Sequence, residues 1–239
     1  MAPTWDVPSM TSSAGVPDAP EGTTVLAVRT TDGVVMAGDR RATAGNIIAH
    51  RRVQKVYSAD DFSAVAISGT AGLAVELIKL FQTELEHYEK LEGTRLSLEG
   101  KANHLASMVR NQLPLAFQGL VVIPLFCGYD ERASTGHLYT YDVVGGRYEE
   151  QDYATTGSGG MEASAFLKGV YRDDLTTEEA VRFGIEGLVA AAEEDTATGG
   201  PDLRRGIYPT VVTVTASGFR EIPEEEVASL AAEVVEGRP

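Results

Sequence analysis

The order of its hydrophobic periods is what most constrains the fold of this chain. Strand-like stretches come first and in pairs. Residues 24 to 30 and 33 to 38 form one pair around the turn signal Asp32-Gly33. Residues 52 to 57 and 62 to 68 form a second, joined by Ser58-Ala59-Asp60-Asp61. Two helical stretches follow. Thr70 can cap one running to about Lys90, with Leu73, Leu77, Leu80, Phe81 and Leu85 at helical spacing. Ser97 can cap the next, with Leu98, Ala102, Leu105, Val109 and Leu113 on one face. Strands return near residues 120 to 127, 137 to 143 and 147 to 150. Gly157-Ser158-Gly159-Gly160 turns the chain into a helix reaching Tyr171, and Thr176 with Glu179 has capping-box spacing for a helix reaching Glu194. A strand pair at 210 to 215 and 219 to 221 precedes a last helix opened by Pro223. Blocks of strands alternating with helix pairs are α+β order rather than βαβ alternation. Two sheets with helices packed outside them satisfy that order. No internal repeat or domain boundary interrupts it.

Composition removes several classes of function. The net charge of −15 over 239 residues argues against a nucleic-acid surface or an anionic membrane surface, both of which favour Lys/Arg patches. The single cysteine, Cys127, excludes an intrachain disulfide, fits a reducing compartment and lies in an apolar run that reads as core. The first residues lack a basic segment followed by an apolar one, so no secretory signal is read. Residues 111 to 129 are uncharged until the end, but Pro114, Gly119 and Pro124 interrupt them. They read as the end of a buried helix followed by a buried strand. The four histidines show no metal-ligand spacing. A cytoplasmic protein without metal is expected.

A compositional seam lies at Gly22-Thr23-Thr24. Residues 1 to 22 are rich in Pro, Ser, Ala and Gly and contain no Lys or Arg; from Val25 the chain is apolar strand. Cutting the Gly22–Thr23 bond would give one residue both a hydroxyl and a free amine, a known way to activate a weak oxygen nucleophile. The same seam also reads as a tail before a first strand. Three further positions stand out. Lys55 sits between Val53 and Tyr57 on one predicted strand face, which marks an edge or a cleft. Asp39 ends an otherwise apolar run. Glu193-Glu194-Asp195 opposes the dipole at a helix C-terminus. Gly157-Ser158-Gly159-Gly160 lacks the Gly-Lys-Ser/Thr ending of a phosphate loop.

Taken together, these segments resemble the proteasome β-subunit family of N-terminal nucleophile hydrolases. The matches run in order: Gly22-Thr23-Thr24, Gly38-Asp39-Arg40-Arg41-Ala42-Thr43, Lys55, Ser68-Gly69-Thr70-Ala71, Gly157-Ser158-Gly159 and Asp195-Thr196-Ala197-Thr198-Gly199-Gly200. Tyr88-Glu89-Lys90-Leu91-Glu92-Gly93 and Gly199-Gly200-Pro201-Asp202-Leu203 are similar to its actinobacterial branch. Two positions depart: Thr198 stands where the family often has Ser, and Glu194 where many members carry Arg.

The resemblance implies a four-layer αββα sandwich over residues 23 to 239, preceded by a propeptide, residues 1 to 22, that is removed on maturation. It implies Thr23 as nucleophile, with its freed amine as base; an α-amine has a reference pKa of about 7.7–8.0. Lys55 would favour loss of the hydroxyl proton and Asp39 would hold Lys55. Ser158, Asp195 and Thr198 would orient the amine, and the Gly69 N–H would face the oxyanion. Ala42, Thr43, Val53, Ile67, Ala71 and Val75 would line a roomy apolar pocket for the residue before the cut. No cofactor is implied. The implied partners are α subunits and other β subunits in sevenfold α7β7β7α7 rings, a ring-shaped ATPase, and unfolded proteins, some carrying a small protein tag. Three rivals share parts of this pattern: a sixfold two-component bacterial protease, a non-catalytic ring subunit and a small-molecule amide hydrolase.

Overall fold

In strand β1 (Thr24–Thr30) alternate side chains go to opposite faces, and both faces are apolar. Leu26 and Val28 join one hydrophobic cluster, Val25 and Ala27 another. β2 (Gly33–Gly38) divides likewise, Val35 and Ala37 against Val34 and Met36. A strand buried on both faces needs a layer on each side, and that requirement organises the molecule. The computed structural model describes residues 22–237. The removable segment expected at residues 1 to 22 lies outside it, apart from Gly22.

β1 and β2 belong to an antiparallel sheet in the order β10-β1-β2-β11-β12, where β10 is Tyr153–Gly157, β11 is Thr210–Thr215 and β12 is Gly218–Glu221. The second sheet runs β5-β6-β7-β8-β9: Val56–Asp60, Ser63–Gly69, Val122–Asp130, Thr135–Tyr141 and Arg147–Glu150. The inner faces meet through Val25, Met36, Ala66, Leu125 and Cys127. Burial pushes the Cys127 thiol up to about 12, which keeps it a neutral packing group.

Helices cover both outer faces. α1 (Ala71–Glu92) and α2 (Leu98–Asn111) lie on the second sheet, where Phe81, Leu105 and Phe126 share a cluster. α4 (Gly160–Val170), α5 (Thr177–Glu194) and α6 (Glu224–Glu236) cover the first, with Leu167, Ile185 and Val227 against Leu26 and Val211. The result is the expected four-layer αββα sandwich. No helix among the described residues is long and apolar enough to cross a membrane.

Local signals hold in several places. Ser97 Oγ accepts from the Gly100 N–H, and Thr176 with Glu179 closes a reciprocal capping box. Others are corrected. Thr70 occupies the N-cap position of α1, but its side chain makes no capping bond. Leu80, read on the buried face, is half-exposed. Leu113 falls beyond α2, in the short helix α3 (Leu113–Ala116), whose residues are not buried, and Phe117 beside it is exposed. The buried helix end expected there therefore stops at Val109. The first hairpin pairs Thr30 with Gly33, so its loop is Thr31-Asp32. A small hairpin of β3 (Ala42–Ala44) and β4 (Ile47–His50) was not foreseen, nor was β10.

Candidate active site

β10 brings the glycine turn to the start of the chain's fold. It pairs with β1 in a register that sets Gly157 opposite Thr24. The Ser158 N–H donates to the Thr23 carbonyl at 2.8 Å. Gly157 has φ +101°, and a Cβ there would lie 1.8 Å from the Thr23 carbonyl oxygen. Only glycine permits this approach. Thr23 is thus held by its backbone at the start of β1, an inner strand of the first sheet, and it is buried.

Asp39 directly follows β2. Its neighbour pairing ends there, so the carboxylate collects the loose N–H groups. Oδ1 accepts from the Thr24 N–H at 2.8 Å, and Oδ2 from the N–H groups of Arg41 at 2.8 Å and Gly199 at 2.9 Å. Lys55 Nζ closes on Oδ1 at 2.5 Å and also donates to the carbonyls of Arg41 and Gly22, the latter at 2.9 Å. Lys55 does not lie on a strand, as its sequence neighbours suggested. β5 begins one residue later, at Val56. Val53, Lys55 and Tyr57 nevertheless line one cavity, so the cleft reading of this lysine holds. Burial pushes the Lys55 pKa below the usual lysine value, and the attraction of Asp39 offsets this only in part.

Thr23 Oγ1 donates to the Gly22 carbonyl at 2.7 Å. The hydroxyl and the Lys55 ammonium therefore converge on one carbonyl oxygen, that of the peptide bond on the N-terminal side of Thr23.

Asp195 caps the C-terminal end of α5, where its charge opposes the helix dipole. The local network explains its presence. Oδ2 accepts from Ser158 Oγ and Thr198 Oγ1, both at 2.6 Å, and Oδ1 from the Ala197 N–H at 3.0 Å. Partial burial works to raise its pKa; the Ser158, Thr198 and Ala197 hydrogen bonds and the Lys55 charge outweigh it, and the carboxyl sits below its usual value. Ser158 Oγ also lies 3.4 Å from the Thr23 carbonyl. Thr198 reaches the site through Thr24, part of the sequence seam but given no role there: its hydroxyl is 2.5 Å from Thr24 Oγ1, which in turn accepts from the Gly159 N–H at 3.0 Å. A hydroxyl on the first residue of a strand carries no pattern that would reveal this.

Two cavities flank Thr23. The smaller is lined by Ala42, Val53, Ile67, Ala71 and Val75, as expected, and also by Tyr57, Ala74 and Ile78. Thr43, expected with them, is not in its lining; it stands beside Gly22 instead. The free space is about 20 Å³, so the pocket is narrow rather than roomy. The larger, about 800 Å³, lies towards Ser68, Thr156, Ser158, Met161 and Lys168. Gly69, at the end of β6, lines both. Among the described residues no group of His, Cys, Asp or Glu is arranged to hold a metal ion.

Comparison with known proteins gives the same direction. The sequence model of the family "Proteasome subunit" matches residues 19–202. A protein of Streptomyces griseus named "Proteasome subunit beta" is 53% identical over 224 residues, covering 94% of this chain and 80% of its own length. One of the same name from Acidothermus cellulolyticus is 53% identical over 226 residues, covering 93% of this chain and 78% of its own. The matched span carries Thr23, Asp39, Lys55, Ser158, Asp195 and Thr198, and on this extent of likeness the chain belongs to the proteasome subunit family.

Proposed function

We propose that this chain is the catalytic β subunit of a proteasome core particle and acts as a threonine endopeptidase whose nucleophile is Thr23. The observation that carries the reading is the convergence of Thr23 Oγ1 and Lys55 Nζ on the Gly22 carbonyl oxygen. The nucleophilic hydroxyl belongs to the residue next to the carbonyl to be attacked and lies 2.7 Å from its oxygen, and a cation already polarises that carbonyl.

Maturation follows from this arrangement. Oγ1 adds to the Gly22 carbonyl carbon and its proton leaves. The C–N bond then breaks, the Thr23 nitrogen takes a proton, and the leader is left as an ester on Oγ1. Water cleaves the ester, releasing a segment that ends in the Gly22 carboxylate and leaving Thr23 with a free amine. Reactants held this close gain several kcal/mol over a bimolecular encounter. Before that step the Thr23 nitrogen is an amide and no base, so the unprocessed chain is a zymogen. Afterwards the amine serves as base, Lys55 stabilises the charge developing on Oγ1, and Gly69 supplies an N–H to the oxyanion. Ser158, Asp195 and Thr198 keep the first residue in place. Substrates are unfolded proteins entering a chamber built with α subunits and further β subunits in the cytoplasm. A ring ATPase delivers them, some with a protein tag.

The test is intact-mass analysis and N-terminal sequencing of particles assembled with α subunits. Wild type begins at Thr23 and cleaves peptides. Thr23→Ala keeps its leader, assembles, and is inactive. Active wild-type particles that retain residues 1 to 22 would overturn the reading.

A further inference from the structure

A pocket on the far side of Asp39 from Lys55 is lined by three arginines, Arg40, Arg41 and Arg51. In a chain of net charge −15, cations have many carboxylates to choose from. Arg95, Arg147, Arg172, Arg182, Arg205 and Arg220 use them, while Arg29, Arg52 and Arg110 spend N–H groups on carbonyls. Among the described residues none of the three pocket arginines forms a salt bridge. Arg41 spends one N–H on the Thr196 carbonyl at 2.9 Å. The Arg40 Nε–H is buried with no acceptor. The one carboxylate in the lining, Asp202, is already taken by the Arg205 guanidinium at 2.7 Å and the Arg205 N–H at 3.0 Å.

Like charges gathered in a partly enclosed space repel, and a buried donor without an acceptor costs free energy. An anion with several oxygens relieves the repulsion, and the planar fork of arginine suits it. We infer that this pocket is an oxyanion-binding site, filled by a carboxylate of a neighbouring subunit or by a free phosphate-class anion. Its position links it to the centre described above. Asp39 Oδ2 is held by the N–H groups of Arg41 and Gly199, and both residues line the pocket. An occupant that pins these two segments also pins the carboxylate that faces Lys55.

Binding rests on the pocket alone and needs no peptidase activity, so its failure is separate from failure of the proposed function; only the choice between the two sources relies on assembly. The probe is inorganic phosphate against chloride at matched ionic strength, read as the melting temperature of the unassembled full-length chain. A saturable rise is expected. Its midpoint should move to about tenfold higher phosphate or more in Arg40→Gln/Arg51→Gln. Arg51→Gln alone, at an exposed position, should move it in the same direction. Assembled particles then separate the sources. A retained phosphate response assigns the site to a free anion. A lost response, with slower assembly of the double variant, assigns it to a neighbour's carboxylate. No saturable rise in the unassembled wild-type chain, or a rise that neither variant changes, refutes the site.

Discussion

Lys55 Nζ stands 2.5 Å from Asp39 Oδ1, with the two side chains 4% and 0% exposed. Neither charge is solvated, so each is tolerable only because of the other and of the backbone groups around them. Asp39 has three N–H donors besides Lys55; Lys55 has two carbonyls besides Asp39. Removing either partner therefore has unequal consequences.

Asp39→Ala leaves an ammonium buried against carbonyls alone and three N–H groups without their acceptor. A loss of about 3–5 kcal/mol is expected in urea unfolding of the unassembled chain. Lys55→Ala should cost less, because the carboxylate keeps its N–H donors. Activity should nevertheless fall by orders of magnitude in assembled Lys55→Ala particles, and Lys55→Arg should do little better, since a planar fork does not replace a compact ammonium. Near-normal turnover in Lys55→Ala particles contradicts the proposed role.

The lowered pKa of Lys55 has a definite sign in stability. Its folded value lies below 10.5, so across the interval from that value up to 10.5 the unfolded chain binds more protons. The contribution of this group to stability therefore rises with pH through that interval. Cys127 and the buried tyrosines Tyr57 and Tyr139 have raised folded values and act in the opposite sense, so the rise is read as a difference: the wild-type urea midpoint should increase relative to that of Lys55→Met through this interval. Asp195 acts at the other end of the scale. With a folded value below 3.8, it contributes stability that is complete above 3.8 and is lost as pH falls through the folded value. Asp195→Asn should remove that acid-side loss.

How far the sequence carried this picture depends on the range of each interaction. The capping box at Thr176 and Glu179 spans three residues, and it is present as read. The block order of strands and helices was enough to suggest two covered sheets. Lys55 was conspicuous because a charge interrupted an apolar alternation, although the alternation did not mark a strand. What escaped was long-range or weakly apolar. β10 has the sequence Tyr-Ala-Thr-Thr-Gly and runs into a glycine turn, so nothing in it alternates. The β3–β4 hairpin is made largely of exposed residues, including Ile47. The Thr24–Thr198 contact joins residues 174 positions apart. Lys101, buried against Asp60, lies on a helix whose apolar stripe gave no sign of an included cation.

The narrow cavity beside Thr23 sets a test of specificity. Its walls are Ala42, Val53, Ile67, Ala71, Ala74 and Val75, with no carboxylate among them. The one charged group in its lining, Lys55, is already committed to Asp39 and to the Gly22 and Arg41 carbonyls, so a charged residue before the cut would be desolvated without a free partner. Cleavage after Leu, Tyr or Phe is expected, and cleavage after Asp or Lys should be rare, read by sequencing products from a denatured protein. Since the free space is small, the walls must open for a ring. Ala42→Val, at a position 2% exposed, should reduce cutting after Tyr and Phe relative to Leu by about tenfold or more. A dominant preference for acidic or basic residues in wild type contradicts the assignment of this cavity.

The tightest constraint on Thr23 comes from a residue with no side chain. Gly157 sits at φ +101°, and any Cβ there would meet the Thr23 carbonyl carbon at 2.6 Å and its oxygen at 1.8 Å. These are backbone atoms, so no rotamer change relieves the contact. Gly157→Ala must therefore either unpair β10 from β1 near Thr24 or push Thr23 away from Lys55. The backbone conformation alone costs about 1–3 kcal/mol for a non-glycine residue, before the clash is counted. Either adjustment disturbs the convergence of Thr23 Oγ1 and Lys55 Nζ on the Gly22 carbonyl, chiefly by moving that carbonyl away from Lys55. Gly157→Ala should then fold with lowered urea resistance and process its leader more slowly, followed by intact mass over time. Gly72→Ala is the control. It lies in α1, with nothing within 4 Å of the added methyl, and should leave processing unchanged. If Gly157→Ala matures at the wild-type rate, the register of β10 against β1 does not position Thr23 for the proposed step.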